Sequence, residues 1–229
     1  MSGRVEVVVF AEGETEERFI KQLVAPALNH LQVYLKPVQL HTSQTAKGGA
    51  VTFDRFKFNA RNTLRQRGDV VLTTFLDLYG LDTSFPAYHQ AAKQQDVYHR
   101  VAVLEEALRS AVVETVGCQA DRFLPHIQPY EFEALLFSDV AALCEVEPTW
   151  ASSVPTLSSA RSTAVSPEHI NDSFETKPSR RLESALTPTY RKTMHGPRAA
   201  QRVTLEVIER ECAHFHDWMN RLRALGASA

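Results

Sequence analysis

The stretch D-V-V-L-T-T-F-L-D at residues 69–77 decides the fold of this chain. Its β-branched and aromatic residues predict a buried strand at residues 69–76, which ends at the carboxylate of Asp77. The run V-E-V-V-V-F at residues 5–10 predicts a first core strand that leads into the turn Ala11-Glu12-Gly13. Such continuously apolar strands are typical of a parallel sheet that is covered on both faces.

Helical patterns alternate with these strands. The 3.6-residue period of apolar positions and the extended segments predict further elements at residues 14–25 (helix), 33–41 (strand), 52–67 (helix), 97–113 (helix), 123–127 (strand) and from Tyr130 onward (helix). The alternation predicts an α/β fold: a mostly parallel sheet with helices on both faces.

The chain length predicts a single domain over residues 1–229. We expect residues 1–145 to form the α/β core, with a polar loop through Lys47-Gly48-Gly49. Residues 146–229 are expected to form a loop and a helical extension that packs on the core. In that extension, the Ser- and Pro-rich residues 149–166 predict a loop, and residues 198–225 predict one long helix.

Composition excludes several classes of protein. The 25 basic and 27 acidic residues give a net charge of −2, which does not indicate a strongly basic nucleic-acid binder. No apolar run approaches the ~20 residues that a membrane span needs, so we expect a cytoplasmic protein without a membrane partner. Three cysteines without a Cys-x-x-Cys pair indicate neither a disulfide framework nor a zinc site.

Carboxylates follow three of the predicted strands. These are Glu12, Asp77 and the pair Glu131 and Glu133, and the carboxyl ends of parallel strands meet at one edge of a sheet. Carboxylate oxygens suit Mg²⁺ or Mn²⁺, so the pattern predicts a metal site there, with Asp82 as a further candidate ligand. If residues 131–133 are helical, only one of that pair can face the metal, and we favour Glu133. The alternative is that each carboxylate caps a helix or makes a surface contact.

Two sets of basic residues are candidates for phosphate contact. Lys57, Arg61 and Arg65 recur every four residues along a predicted helix. The second set lies between residues 177 and 202 and includes Lys177, Arg180, Arg181, Arg191 and Lys192. Lys177 is the candidate cation that steadies the reacting phosphate, whereas the alternative for both sets is a solvated helix face.

Histidines give a weaker signal. His126 follows a predicted strand near Glu131, where it suits a base, a residue that orients a metal ligand, or a structural residue. His214 and His216 lack the spacing of ligands on one helix face, and we assign them no role.

Three motifs resemble the Toprim family. The segment F-A-E-G-E-T-E at residues 10–16 resembles the E-G-x-T-E signature of Toprim domains of the OLD (overcoming lysogenization defect) nucleases. The strand that ends at Asp77 resembles the Toprim Asp-x-Asp element, and Glu131-Phe132-Glu133 resembles a downstream acidic motif. Small stand-alone Toprim-like proteins of an uncharacterised family carry a similar E-F-E-A-L-L-F stretch.

This resemblance implies a Toprim-like, Rossmann-like fold. It implies that Glu12 binds metal or transfers a proton at the scissile phosphate, and that Asp77 is a direct metal ligand. The second aspartate of Asp-x-Asp is replaced here by Tyr79, which leaves open whether one or two metals bind.

The function that follows is a metal-dependent phosphodiesterase. The resemblance implies a DNA or RNA nuclease of a bacterial antiphage defence system that works with an ATPase partner. One alternative is a catalytically silent Toprim-like subunit that binds nucleic acid or regulates the ATPase. Another is a phosphatase similar to the haloacid dehalogenases, in which Asp77 of the Asp77-Leu78-Tyr79-Gly80 segment is a nucleophile.

Overall fold

The computed structural model describes residues 3–40, 51–171 and 173–227. The predicted loop through Lys47-Gly48-Gly49 lies outside these residues.

The centre of the fold is a parallel sheet. Its strands are β1 (Val5–Ala11), β2 (Val33–Gln39), β3 (Val70–Asp77), β4 (Phe123–Leu124) and β5 (Ile127–Gln128). The strand order is β2-β1-β3-β4, with β5 also paired to β3, and each of these pairings is parallel. The predicted α/β fold with a mostly parallel sheet is therefore confirmed.

Helices cover both faces because alternate side chains of each strand point to opposite sides. On one face, Val8 and Leu72 pack with α3 (Phe53–Gln66) and α5 (Val97–Val116). On the other face, Val7 and Phe75 pack in a core with the first helices and with the carboxyl-terminal helices. The first helices run as α1 (Glu14–Phe19), a π-helical segment (Ile20–Val24) and α2 (Ala25–Leu28), and the short helix α4 (Tyr88–Ala91) precedes α5.

The carboxyl-terminal region is helical, as predicted, but its divisions differ from the prediction. It contains α6 (Val140–Cys144), α7 (Val154–Ser162), α8 (Pro178–Ala185), α9 (Lys192–Val203), α10 (Leu205–Glu211) and α11 (Ala213–Ala227). The predicted single helix over residues 198–225 is wrong because the chain leaves helical geometry at Thr204, with a φ of 73°, and at Cys212. The side chain of Thr204 accepts a hydrogen bond from Val207 N and so caps α10.

The predicted loop over residues 149–166 is also wrong. A 3₁₀ helix (Pro148–Ser153) and α7 occupy most of this segment, and Trp150 and Leu157 are buried in the core. Proline at the start of each helix is tolerated because the first helical N–H has no partner within the helix. Among the described residues, no helix is both long enough and apolar enough to cross a membrane.

Arg122 joins the end of α3 to the start of β3. Its guanidinium donates hydrogen bonds to the carbonyl oxygens of Leu64, Arg67 and Val70, at 2.6–3.2 Å. These carbonyls belong to the end of a helix and the turn after it, where intrahelical partners are lacking.

Replacing Arg122 with methionine should lower the free energy of unfolding by about 1–3 kcal/mol, because the partly buried carbonyls lose their donor. Chemical denaturation of the purified variant measures this change. Arg61→Met, on the exposed face of α3, makes the same change of charge and should stay within about 0.5 kcal/mol of the parent. Equal losses in the two variants would contradict this role of Arg122.

Candidate metal centre

The predicted carboxylates lie at one edge of the sheet. Glu12 directly follows β1, Asp77 is the last residue of β3, and Glu131 and Glu133 follow β5. The chain goes from β1 to β2 on one side, and β3 then lies on the other side of β1. The carboxyl ends of β1 and β3 therefore flank a topological switch point, where parallel α/β sheets open a crevice for ligands.

Glu12 and Asp77 are in direct contact across this crevice. The backbone N of Asp77 donates to Glu12 Oε2 at 3.3 Å, and Phe132 N donates to Asp77 Oδ1 at 2.8 Å. Gly80 lies against the other side of the Glu12 carboxylate, and a Cβ at this position would overlap the carboxylate atoms. The absence of a side chain at Gly80 thus gives Glu12 its place.

Two lysines lie beside Glu131 and Glu133. Lys177 Nζ is 2.6 Å from Glu131 Oε1, and Lys192 Nζ is 3.1 Å from Glu133 Oε2 and 3.9 Å from Glu131 Oε1. The ammonium of Lys192 therefore lies between the two carboxylates. Ser179 N donates to Glu131 Oε2 at 3.0 Å, and the Tyr190 hydroxyl donates to Glu133 Oε1 at 3.3 Å.

The helix predicted from Tyr130 is present as a 3₁₀ helix but begins two residues later, at Phe132, and this changes the geometry of the acidic pair. Tyr130 has a φ of 57°, Glu131 is extended, and a 3₁₀ helix (Phe132–Ser138) begins only after it. Because Glu131 stands before the helix, both carboxylates reach Lys192. The structure therefore brings both residues, and not Glu133 alone, to one place.

Glu16 joins the same group from the first turn of α1. Its side chain is buried, and burial together with repulsion from Glu12 raises its pKa. Glu16 in turn adds to the effect of burial in raising the pKa of Asp77. We call Glu12, Glu16, Asp77, Glu131 and Glu133 the acidic cluster. Five carboxylates thus lie near two ammonium groups, those of Lys177 and Lys192.

Burial dominates the protonation of the acidic cluster. Burial raises the pKa of Asp77 well above its usual value, and Glu12 and Glu16 raise it further. Burial also raises the pKa of Glu12 and Glu16, and it raises the pKa of Glu133 to about 7 against the opposing effect of Lys192. These shifts reflect the cost of placing negative charge where water is excluded.

Glu131 differs from the rest of the acidic cluster. Burial alone would raise its pKa, but Lys192, Lys177 and Ser179 outweigh burial and lower it. Lys192 shows the reciprocal effect, because its own burial lowers its pKa while Glu133, Asp77 and Glu131 raise it to a net value above the usual range. Glu131 and Lys192 are therefore a charged pair, whereas the raised pKa values of Glu12, Glu16, Asp77 and Glu133 favour their protonated, neutral forms.

The donor set of the acidic cluster fits a hard divalent cation. Its ligands are carboxylate oxygens from three chain segments, and a cation would relieve the repulsion that raises their pKa. Within the described ranges, the ligand atoms of Glu105, His126 and His214 are already close enough to one another to hold an ion, and this group is separate from the acidic cluster. Because Lys192 already contacts the Glu133 carboxylate, a cation at the acidic cluster would compete with its ammonium.

Two other residues of the predicted site have different neighbours. Tyr79 packs its ring on Tyr130, and its hydroxyl accepts a hydrogen bond from Asn171. Asp82 accepts a hydrogen bond from Ser84 N at 2.9 Å, and the side chain and backbone of Ser84 together lower the pKa of Asp82. Asp82 therefore holds its own turn, whereas Tyr79 lies beside Lys177, whose ammonium is 5.8 Å from the centre of the Tyr79 ring.

The basic residues separate into two groups. Lys177 and Lys192, one predicted as catalytic and the other as a nucleic-acid contact, both contact the acidic cluster. The other predicted residues lie on or near helix surfaces, where several make local contacts. Lys57 pairs with Asp54, Arg65 donates to Val116 O, Arg180 pairs with Glu183, Arg181 donates to Thr176 O, and Arg61 and Arg191 are exposed.

Sequence reasoning missed Glu16, Gly80 and Tyr190. The last glutamate of the E-G-x-T-E motif could have indicated Glu16, since it opens a helix beside Glu12. Gly80 and Tyr190 gave no signal, because their roles depend on contacts with residues 68 and 57 positions away.

The fold and the acidic cluster define an α/β protein with a carboxylate-rich crevice at the carboxyl edge of a parallel sheet. The chain belongs to the family described as domain of unknown function DUF4276, whose family model matches residues 11–223. Comparison with curated proteins and with solved structures gives no significant match.

Replacing Lys192 with methionine should destabilise the protein more at high pH than at low pH. Lys192 lowers the pKa of Glu133, so its removal raises that pKa further above the ordinary 4.5. A carboxyl with a raised pKa in the folded state stabilises the fold below pH 4.5, and this contribution is lost as the pH rises through the folded pKa.

The expected loss of unfolding free energy at about pH 8 is roughly 1–3 kcal/mol, below the value for a fully buried pair because the Lys192 side chain is 41% exposed. At about pH 5 the loss should be smaller, as denaturant titrations at both pH values would measure. Lys21→Met, which removes an exposed partner of Glu17, should change stability by less than about 1 kcal/mol at either pH. A loss for Lys192→Met that does not depend on pH would contradict this account.

Proposed function

We propose that this chain is a cytoplasmic phosphodiesterase that depends on Mg²⁺ or Mn²⁺ and cleaves DNA or RNA. The observation that carries the proposal is the acidic cluster at the switch point between β1 and β3, where carboxylates outnumber ammonium groups. The order of the motifs that resemble the Toprim family supports it independently.

The residues of the acidic cluster have distinct roles in this proposal. Asp77 and Glu133 hold the cation, since both are buried and the contact with Phe132 N fixes the orientation of the Asp77 carboxylate. Glu12 is partly exposed and has a raised pKa, so its carboxylate can accept a proton from water at the crevice. A bound Mg²⁺ or Mn²⁺ supplies a Lewis acid that polarises the phosphodiester.

Lys177 and Lys192 provide the positive charge that a phosphate needs. Both ammonium groups lie at the edge of the acidic cluster, and the side chain of Lys192 is 41% exposed. Where Glu133 would hold a cation, Lys192 would be the residue that contacts a phosphate oxygen. Exposed Arg191 precedes Lys192 and extends this positive charge outward.

The second candidate is a regulatory or nucleic-acid-binding subunit without turnover. The ion pairs of Lys192 with Glu133 and of Lys177 with Glu131 favour it, because they partly neutralise the acidic cluster from within the chain. The replacement of the second Asp-x-Asp aspartate by Tyr79 favours it as well. In either case, an ATPase partner would supply the choice of substrate.

Cleavage by the purified full chain tests the first proposal. Supercoiled plasmid, single-stranded DNA and RNA are incubated with Mg²⁺ or Mn²⁺, and we expect cleavage of at least one of them. Asp77→Asn should reduce cleavage by about two orders of magnitude or more, because it removes a buried ligand. Asp69→Asn, at the exposed amino end of the same strand, is the matched control and should keep full activity.

Two outcomes would overturn the nuclease proposal. One is equal cleavage by the parent and Asp77→Asn. The other is no cleavage with either metal while nucleic-acid binding is retained, a result that favours the regulatory subunit. A small phosphomonoester in the same assay tests for phosphatase activity.

Gly80→Ala should abolish cleavage while every carboxylate remains in the chain. The added Cβ would overlap the Glu12 carboxylate and move it out of the crevice, so the loss should match that of Glu12→Gln. Stability should change by no more than about 1 kcal/mol, since Gly80 has no left-handed backbone angle and the Glu12 side chain can rotate. In the control Gly68→Ala, the new Cβ has no atom within 4 Å, and activity should be unchanged.

A further inference from the structure

A second group of potential metal ligands lies under the carboxyl-terminal helices. Glu105 comes from α5, His126 from the link between β4 and β5, and His214 from α11. One ligand atom from each residue lies within 4.8 Å of the other two. Three distant segments of the chain therefore converge on one point, apart from the acidic cluster.

His126 is the unusual member of this group. Its side chain is fully buried, and neither ring nitrogen makes a hydrogen bond of good geometry within the part of the chain that the structure describes, although the Gln128 side chain lies near enough to interact with the ring. The ring is stacked between neighbours, with centroid distances of 4.8 Å to His214, 4.8 Å to Trp218 and 5.3 Å to Phe75. Burying an imidazole without hydrogen bonds costs free energy, so the free nitrogens need an explanation.

Glu105 provides the point at which both histidines meet. Its Oε1 accepts hydrogen bonds from Ile127 N at 2.7 Å and from His214 Nε2 at 2.9 Å, and it lies 3.9 Å from His126 Nδ1. The last distance is too long for a hydrogen bond. It can be bridged by an ion that binds both atoms.

The surroundings orient these ligands. Glu168 accepts hydrogen bonds from the backbone N of His214 at 3.0 Å and from the Tyr98 hydroxyl at 2.8 Å, which fixes the start of α11. Arg221 lies 3.8 Å from Glu105 Oε2, so its positive charge would repel a cation at this site. Burial lowers the pKa of His126, whereas the contacts with Glu105 outweigh burial and raise the pKa of His214, so a metal would have to displace a proton from His214.

We propose that Glu105, His126 and His214 bind one divalent transition-metal ion, with Zn²⁺ as the best fit. Two imidazoles and one carboxylate form a donor set that Zn²⁺ and similar borderline metals accept, whereas Mg²⁺ prefers oxygen ligands. Zn²⁺ binds such atoms at about 2.0–2.2 Å, which places neighbouring ligands about 3.3 Å apart. The 3.9 Å gap between Glu105 and His126 would therefore close by roughly 0.6 Å, and the 2.9 Å contact between Glu105 and His214 would open by roughly 0.4 Å. The proton on His214 Nε2 goes to solvent when the metal binds.

The consequence of this site is structural. The metal would link α5, the segment between β4 and β5, and α11. It would so fasten the carboxyl-terminal helices to the edge of the sheet and to the helix on its other face. The side chains of Glu105 and His214 are 11% and 13% exposed, so the site is close enough to the surface for an ion to reach it.

Zn²⁺ titration of the metal-stripped full chain tests this proposal. The parent protein should bind one equivalent in calorimetry, and Co²⁺ in its place should give the visible absorption of a tetrahedral site. Thermal unfolding should shift upward by about 5–10 °C when free Zn²⁺ is ~100 times the dissociation constant. The same shift should appear in Asp77→Asn, which separates this site from the acidic cluster and from the nuclease proposal.

Matched variants identify the ligands. His214→Gln should weaken Zn²⁺ binding at least ~100-fold and remove the thermal shift, whereas His216→Gln, an exposed histidine on the same helix, should bind like the parent. Glu105→Gln is the second variant, since its amide oxygen can still accept from Ile127 N while its charge is lost. Unchanged Zn²⁺ affinity in both ligand variants, or no stabilisation of the parent by Zn²⁺, would overturn the proposal.

Discussion

The ammonium group of Lys192, placed between Glu131 and Glu133, is the interaction on which the carboxyl edge of the sheet depends. Burying several carboxylates together is unfavourable unless positive charge lies beside them. Lys192 supplies that charge to Glu133 and Glu131, and its effect extends to Glu12 and Asp77. Because Lys192 is the first residue of α9, the position of this helix and the charge state of the crevice are linked.

Much of the central sheet could be predicted because its signals are local. The apolar runs of β1 and β3 are continuous in sequence, and the carboxylates of Glu12 and Asp77 stand directly after them. Parallel pairing then places those carboxylates at the same edge without further information. The partners of the acidic cluster could not be found this way. Lys192 lies 59 residues from Glu133, and its sequence context fits a solvated surface residue equally well.

The carboxyl-terminal region was harder to predict for a related reason. Helix α7 is rich in small polar residues, and its place in the structure depends on the burial of Leu157 rather than on a helical pattern. Helices α9, α10 and α11 follow one another so closely that their apolar positions resemble one long period. Likewise, His126 and His214 are 88 residues apart in sequence, and only the packing of α11 on the sheet brings their rings together.

The two candidate centres differ in the chemical character of their donor atoms. The crevice between β1 and β3 offers carboxylate oxygens and two ammonium groups, which suits hard cations and phosphates. The group beneath α11 offers imidazole nitrogens next to Trp218 and Phe75, in an aromatic environment. Trp218 also donates a hydrogen bond to Thr73 Oγ1 of β3, so the same helix stabilises the middle of the strand that ends at Asp77.

The position of Lys177 and Lys192 near the end of the chain has a consequence for biosynthesis. The ribosome makes every carboxylate of the acidic cluster before it makes either lysine. A nascent chain that stops at Glu133 lacks both counter-ions, so burying charged carboxylates is less favourable at that stage than after α9 has been made. Translation therefore supplies the positive charge only after the carboxylates that it stabilises.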